Sequence, residues 1–340
     1  DIPEGLFHLV HVPGAQSGEA LLNAGIHKLF FTGSVAVGKE LMAMAARTLT
    51  PVSLELGGND PMIVYADANL PRAVFGALWA GFSNCGQSCG GVERILVHQD
   101  RYEAFKAEFV RQARQLRMGF ATGSDSENQV DMGSLTTEKQ KQTVAAHLAD
   151  ALEKGAEIVF QSRDVPAQGL YHPAVLLENV TPAMRIVREE SFGPVMTLQP
   201  FETMAEAVAM ANDCGLGLTA SVWTRDRKRA QQTAALLETG AVSINDHLMT
   251  HGMAETPWGG VKESGIGRTH GQLGMEEMTE PKVVVSDLLG FLPRNIWWHP
   301  YSDFVFWGLD GGARFLFGRE PLAGLAALVP LFLSRLKKPD

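Results

Sequence analysis

The sequence predicts an α/β fold in which a mostly parallel sheet is covered by helices, and three observations lead there. Short apolar runs of strand length alternate with longer amphipathic segments along most of the chain, the grammar of β-α-β units. One such run passes directly into Thr32-Gly33-Ser34-Val35-Ala36-Val37-Gly38 and a helix rich in Ala and Met, which puts glycines and a hydroxyl at a helix N-terminus. The 340 residues, 45% hydrophobic and 20% charged, suffice for two domains or one large one with a substantial core.

Residues 6–12 form a short apolar segment closed by Pro13-Gly14, 19–25 a helix and 28–31 a buried strand, and the helix after Gly33 runs to Ala46. Residues 51–56 and 61–65 read as strands on either side of Gly57-Gly58, a break that marks a domain crossing. A helix over 70–82 carries Ala73, Ala77, Leu78 and Gly81 at helical spacing, and 94–98 resumes strand character. Over 101–117 an amphipathic helix places Tyr102, Phe105, Phe109 and Leu116 on one face, a stripe read as core rather than as a cofactor box. A polar, exposed loop follows at 122–130, then a helix at 136–155, a strand at 157–160 and a loop at 161–169. Strands at 174–177, 195–200, 220–224 and 241–245 alternate with helices at 204–212 and 225–238, and Val283-Val284-Val285 centres a last strand at 279–286. There is no internal repeat and no low-complexity tract.

A formal charge of −9 argues against a nucleic-acid binder that works by neutralising phosphates. Cys85, Cys89 and Cys214 are an odd number without zinc-type pairing, which fits a reducing compartment and a cytoplasmic location. No charged stretch followed by an apolar one opens the chain, and residues 1–5 read as interior sequence.

The chemistry centres on Phe82-Ser83-Asn84-Cys85-Gly86-Gln87-Ser88-Cys89-Gly90-Gly91, a small-residue turn after an apolar run. Cys89 is the candidate nucleophile, set against the plainer role of a small buried hydrophobe. A thiol attacks a carbonyl only as thiolate, so backbone dipoles or a nearby positive charge should lower its pKa. Glu55, 34 residues upstream, ends a strand at a Gly-Gly break that can project a carboxylate into a cleft. It is the candidate general base, set against a surface carboxylate at a strand end, and only a folded domain can bring the two together. Gly33, Ser34 and Gly38 suit a pyrophosphate at a helix N-terminus, or serve packing alone. Glu190, beside Glu189 and before Phe192-Gly193-Pro194, is either a site carboxylate or half of a solvated acidic pair. Cys85 and Cys214 read as structural. His247 and His251 lack a third ligand at sensible spacing, so no metal is expected.

Leu54-Glu55-Leu56-Gly57-Gly58, Gly86-Gln87-Ser88-Cys89, Glu190-Ser191-Phe192-Gly193-Pro194-Val195 and Trp258-Gly259-Gly260-Val261-Lys262-Glu263-Ser264-Gly265, in that order, resemble the NAD(P)-dependent aldehyde dehydrogenase superfamily. The resemblance covers residues 5–285 and lacks the family's N-terminal part. It implies part of a Rossmann-like cofactor domain at 1–57, an α/β catalytic domain at 58–270 and an oligomerisation strand segment at 271–287. It implies NAD or NADP as cofactor, with Gly33, Ser34, Gly38, Leu56 and Gly57 around it, Glu190 on the nicotinamide-ribose hydroxyls and the Phe192 ring beside the nicotinamide. Cys89 would carry the acyl group and Glu55 would activate water. The Cys89 backbone N–H and an asparagine of the N-terminal part would stabilise the oxyanion. Phe82, Ser88, Met253 and Trp258 would line the substrate pocket. The implied partners are a small-molecule aldehyde and further copies of the chain, as a dimer or tetramer, with no nucleic acid.

The expected reaction is oxidation of an aldehyde to a carboxylic acid through a cysteine thiohemiacetal and thioester. One alternative is an acylating dehydrogenase or reductase that passes the thioester to coenzyme A or works from an acyl phosphate. Such relatives generally lack a base at the Glu55 position. A second is a non-catalytic oligomeric protein on the same fold, against which an intact Cys89 and Glu55 argue. The tail at 288–340 lies outside the family pattern and is rich in aromatics. Its apolar run at 321–333 is shorter than the ~20 residues of a bilayer-spanning helix, and Arg335, Lys337 and Lys338 follow it. It fits a contact with another subunit, packing on its own domain, or peripheral association with a membrane surface.

Overall fold

The computed structural model describes residues 3–120, 129–319 and 321–336. The chain divides into two compact units, Asp1–Glu280 and Pro281–Asp340.

In the first unit the strands are β1 (Leu29–Thr32), β2 (Val52–Glu55), β3 (Asp60–Val64), β4 (Val92–His98), β5 (Glu157–Gln161), β6 (Val175–Glu178), β7 (Val195–Phe201), β8 (Leu216–Gly217), β9 (Thr219–Trp223), β10 (Ala241–Ile244), β11 (Val261–Lys262) and β12 (Gly265–Ile266). The helices are α1 (Gly14–Asn23), α2 (Val35–Ala45), α3 (Leu70–Phe82), α4 (Gln99–Ala113), α5 (Glu138–Glu153), α6 (Arg185–Arg188), α7 (Met204–Asn212), α8 (Arg227–Leu236) and α9 (Gly271–Glu276).

Seven strands form one sheet in the order β10-β9-β3-β4-β7-β6-β5. Every pair in it is parallel except β5 with β6. Helices shield a parallel sheet on both faces, which is why β3 and β4 read as unbroken apolar runs: Met62, Ile63, Val64, Ile95, Leu96 and Val97 are all fully buried. A second sheet, β1-β2-β12, pairs β1 and β2 in parallel and β12 antiparallel to β2. The chain therefore leaves one sheet at Glu55 and enters the other at Asp60, across Gly57-Gly58.

Helix α3 starts where Asn69 accepts the Arg72 N–H and Pro71 fixes the first turn. Its buried face meets α4 through Phe82 and Phe109, whose ring centroids lie 6.1 Å apart. Phe105 and Phe109 are fully buried, as the aromatic stripe requires, and the Tyr102 hydroxyl donates to Glu178. The helix ends at Ala113, so Leu116 packs from the turn beyond it.

Three expectations fail. Residues 6–12 form no strand, and Leu6, Phe7, Leu9 and Val10 are exposed. Strand β1 is half buried rather than buried, with Phe30 facing outward. Residues 279–286 form no strand either, and Val283, Val284 and Val285 are all more than four-fifths exposed. β-branched residues favour a strand only when a neighbouring strand takes up the hydrogen bonds, and among the described residues these segments have none. Most of the polar loop expected at 122–130 lies outside the described residues, as do Lys337 and Lys338.

The second unit is a helical hairpin of α10 (Asp303–Phe317) and α11 (Pro321–Arg335). Among the described residues no helix is long and apolar enough to cross a membrane.

Candidate functional site

Strand β2 is the middle strand of its sheet and carries Glu55 at its end, opposite Thr32 on one side and Gly265 on the other. The Glu55 carbonyl accepts the Gly33 N–H, so the loop that opens α2 is tied to the candidate base. Gly33 and Ser34 are exposed, and Ser34 caps α2 by accepting the Val37 N–H. A Cβ on Gly38 would lie 2.7 Å from a Leu56 methyl, so bare backbone there lets α2 sit down on β2.

Beyond Leu56 the chain is bare at Gly57 and Gly58. A Cβ on Gly57 would fall 2.0 Å from a Glu190 oxygen, and the Gly58 N–H donates to Glu190 at 3.2 Å. A Cβ on Gly58 would fall 2.6 Å from the Cys89 carbonyl oxygen. Two glycines thus let Glu190 and the cysteine turn approach the end of β2 together. Ser264 clasps the arrangement: its hydroxyl donates to the Gly57 carbonyl at 2.6 Å and accepts the Gly217 N–H at 2.8 Å.

The cysteine turn is held from inside. Asn84 and Cys85 take left-handed backbone angles, φ 52° and 57°. Gln87 is buried, and its amide donates to the Asn84 carbonyl while accepting from the Thr136 N–H and hydroxyl. Cys85 is fully buried, and burial pushes its thiol up to about 12, as expected of a structural cysteine. Cys214 is also buried. Cys89 is partly exposed, and among the described residues its backbone N–H donates to no backbone acceptor.

The field at Cys89 differs from the sequence expectation. Burial first, then the charges of Asp60, Glu190 and Glu55, push its thiol up to about 11, with the Gly90 N–H working the other way. The surroundings are carboxylates, not cations. Glu55 is raised to about 7, mainly by burial, against the pull of the Arg268 guanidinium and the Trp258 indole, and one of its oxygens is buried without a hydrogen bond. Burial also raises Glu190 to about 7, opposed by the Gly58 N–H. Trp258 is 4% exposed, and its ring lies 3.2 Å from where a Gly90 Cβ would sit. It therefore bridges the base and the nucleophile turn.

The structure brings Glu55, Cys89, Glu190 and Trp258 together, with Gly33, Ser34, Gly38, Leu56 and Gly57 along the neighbouring sheet. Phe192 follows Glu190 in a left-handed conformation (φ 47°), and Gln140 donates to its carbonyl. Ser88 is half-buried beside Cys89. Phe82 lies in the core and also borders a cleft with Leu78 and Trp79, while Met253 sits half-exposed in the turn after residues 249–252.

Sequence reasoning missed the polar groups inside strands. Asp60, at the start of β3, is fully buried and accepts the Thr219 N–H and hydroxyl; burial raises it to about 8. Glu93 accepts the Ser191 and Phe192 N–H groups and so fixes the segment after Glu190. Arg94 is buried and donates to the carbonyls of Asn59, Met210 and Ala211. The signal was a charged residue inside an apolar run, which a protein retains only when it is fully hydrogen-bonded. From sequence, His247 reads as part of the substrate-side loop 246–258 and is weighed as a metal ligand, not as a support for the cysteine turn. It is buried, with Nε2 2.9 Å from the Gly90 carbonyl and Nδ1 2.7 Å from the Ser221 hydroxyl. It also borders a cleft lined by Arg72, Phe75, Trp79 and Trp223.

The residues present fit a nicotinamide dinucleotide. An exposed glycine and a capping serine open an eleven-residue helix, and a carboxylate lies across a glycine that a side chain would fill. An α/β unit that gathers a thiol, a carboxylate of raised pKa and such a glycine-lined sheet edge has the frame of a dinucleotide-dependent thiol enzyme.

The chain belongs to the aldehyde dehydrogenase family, whose model matches residues 1–284. It is 38% identical over 324 residues to 4,4'-diapolycopene aldehyde oxidase of a Methylomonas species, covering 95% of this chain and 59% of that protein. It is 40% identical to the mitochondrial succinate-semialdehyde dehydrogenase of rice, covering 83% of this chain and 53% of the relative. Among solved structures, betaine aldehyde dehydrogenase of Staphylococcus aureus in complex with NAD+ superposes with a TM-score of 0.73 at 34% identity, over 78% of this chain and 52% of that one. The chain thus spans little more than half the length of these relatives.

Proposed function

We propose that the protein of which this chain is the body oxidises an aldehyde to a carboxylic acid with NAD+ or NADP+. The observation that carries this reading is Glu55 with one buried, unpartnered oxygen beside the Cys89 turn, a carboxylate free to take a proton from water. The cofactor, when bound, supplies the hydride acceptor. Cys89 Sγ bonds to the carbonyl carbon and loses its proton. Hydride leaves that carbon, and a thioester remains on the sulfur. Glu55 takes a proton from water, whose oxygen attacks the thioester, breaks the C–S bond and releases the acid. The balance is aldehyde, oxidised cofactor and water to acid, reduced cofactor and a proton.

Phe82, Ser88, Met253 and Trp258 are the proposed substrate-side residues, to which the geometry adds the Phe75 and Trp79 cleft bordered by His247. The domain assignment of 1–57 to the cofactor, 58–270 to catalysis, 271–287 to oligomerisation and 288–340 to a separate tail belongs to the same reading. Val283, Val284 and Val285 are β-branched, exposed and unpaired, and suit forming a strand against another copy, as a dimer or tetramer. The protein works in the cytoplasm, with a peripheral membrane contact through its tail.

The test uses the whole protein and a panel of aldehydes. Release of free acid, with one reduced cofactor per acid, supports the reading. Formation of acyl-coenzyme A in place of free acid, with turnover only when coenzyme A is added, would favour an acylating enzyme, and reduced cofactor with neither product would end both.

A further inference from the structure

The hairpin of α10 and α11 turns its small residues inward. A Cβ on Gly308 would fall 2.5 Å from the Leu331 Cβ, one on Gly311 2.4 Å from the Ala327 Cβ, and one on Gly324 2.5 Å from the Phe315 nitrogen. Glycines therefore make much of the contact between the helices, with Val305 and Leu331 buried beside them, and most of the other large side chains are left outside. Phe306, Leu316, Phe317 and Leu322 are between two-thirds and nine-tenths exposed. At 100° per residue, Leu316, Phe306, Phe317 and Trp307 spread over about half the circumference of α10. Close packing through small residues, with bulky apolar groups outward, is the inverse of a water-soluble helix pair and the arrangement helices adopt against lipid.

The charges agree. Within α10, Asp310 and Arg314 neutralise each other at 2.8 Å. Within α11, Arg335 is the only charged residue, and it is 2% exposed. Its Nη2 donates to the carbonyls of Ile296 and Trp298, while its Nε has no hydrogen-bond partner. Arg294 also has a buried Nε without a partner. The two guanidiniums repel each other, and neither pairs with a carboxylate among the described residues. The half-buried Arg294, without a carboxylate partner among the described residues, puts an unneutralised cation at one end of an apolar hairpin, which suits an anion with several acceptor oxygens. Trp297, Trp298 and Tyr301 stand exposed at the same end, the residue types that favour the boundary between lipid and water. From residue 288 onward the chain has six basic and four acidic side chains, in a chain of formal charge −9. Each helix, at 15 residues, is about 22 Å long and too short to span the ~30 Å hydrocarbon layer.

We propose that the hairpin docks on an anionic phospholipid bilayer, its outward aromatic and aliphatic side chains entering the acyl boundary while Arg294 takes headgroup phosphate. A second copy of the chain would bring the same excess of basic side chains to this face, whereas an anionic lipid surface complements it. The inference rests on the geometry of this unit alone and not on the proposed reaction.

The test is flotation of the full chain with vesicles of phosphatidylcholine alone or mixed with phosphatidylserine. Binding is expected to the mixed vesicles, weakened by salt, and to fall about fivefold for Arg294→Gln. The variant Phe317→Ser with Leu322→Ser, at exposed positions where folding is not at stake, should lose binding while keeping the circular dichroism of the parent. Equal flotation with both vesicle types would overturn the preference for an anionic bilayer, and with it the proposal. Loss of binding in 10 mM inorganic phosphate at constant ionic strength, about as strong as with soluble headgroup, would mean a free-anion site and overturn the lipid assignment. Parental flotation by the double variant, or a drop in its oligomer mass with flotation unchanged, would make this face a protein contact and overturn the proposal. Turnover is not read in any arm, so failure of the proposed oxidation leaves the result intact.

Discussion

Nε2 of His247 lies 2.9 Å from the carbonyl oxygen of Gly90, the residue after Cys89. Burial drives this imidazole down to about 4, so it is neutral at physiological pH, and its other nitrogen meets the Ser221 hydroxyl. Ser221 in turn accepts the Trp223 indole N–H. The nucleophile turn is thereby tied to β9 of the large sheet by neutral hydrogen bonds. His247→Phe, which removes both bonds, should lower kcat about 10- to 100-fold through misplacement of the thiol, with KM for the cofactor nearly unchanged. A matching rise in cofactor KM would show that His247 acts elsewhere. Because its pKa lies near 4, the loss should be the same from pH 6 to pH 9.

Cys89→Ala should abolish turnover and leave cofactor binding and thermal stability near the parental values. Cys85→Ala removes a fully buried group and should instead lower stability by about 1–2 kcal/mol while turnover persists. Dehydrogenase activity retained in the Cys89 variant would rule out its role as nucleophile.

Glu55→Gln should give a single burst of reduced cofactor and then stall as the thioester accumulates. In the parent protein the base form of Glu55 grows in as pH rises through about 7, so deacylation should rise across that window and level off above it. A steady-state rate unchanged by the substitution would remove Glu55 from the mechanism.

Gly57→Ala places a methyl group against the Glu190 carboxylate and displaces it from the Gly58 N–H. Cofactor affinity should fall about tenfold with the fold intact, since the displaced atoms end a flexible side chain. Gly86→Ala meets the Gly193 backbone instead, at 2.2 Å and from φ +70°, and should cost the fold about 1–3 kcal/mol. Titration calorimetry and thermal denaturation separate the two effects.

Asp60 supplies a stability prediction with a definite sign. Its folded pKa, about 8, is above that of an unfolded carboxyl, so the native state binds the extra proton. That contribution is present below the unfolded pKa and is lost as pH rises toward 8. Asp60→Asn keeps an acceptor for Thr219 without the ionisation, so its Tm should change less between pH 5 and pH 8.5 than the parent's. Parallel Tm profiles would show that Asp60 does not titrate in this range.

Much of this architecture was legible because each local signal agreed with the next. Helix α3 runs over the residues its spacing predicts, since Asn69, Pro71 and a buried stripe all point to one register. The strands of the large sheet announce themselves by apolar continuity, and Cys89 and Glu55 by their flanking glycines. What the sequence hid depends on partners distant along the chain. Residues 6–12 and 283–285 have strand composition but no strand to pair with in the described chain. Asp60, Glu93 and His247 look unremarkable until the fold supplies Thr219, Ser191 and Gly90. The raised pKa of Cys89 was illegible for the same reason, because three carboxylates converge on it from separate strands and turns.

The Ser264 clasp on Gly57 spans 207 positions of sequence. During synthesis, the amide edge at Gly57 and Gly58 emerges long before the hydroxyl that fastens it, so the site cannot close until the ribosome has nearly finished the first unit. Chains released early, short of Ser264, would carry both Cys89 and Glu55 and still lack the latch that aligns them. Quality control then has a simple criterion to act on: a truncated product leaves the Gly217 amide and the Gly57 carbonyl without the hydroxyl that joins them.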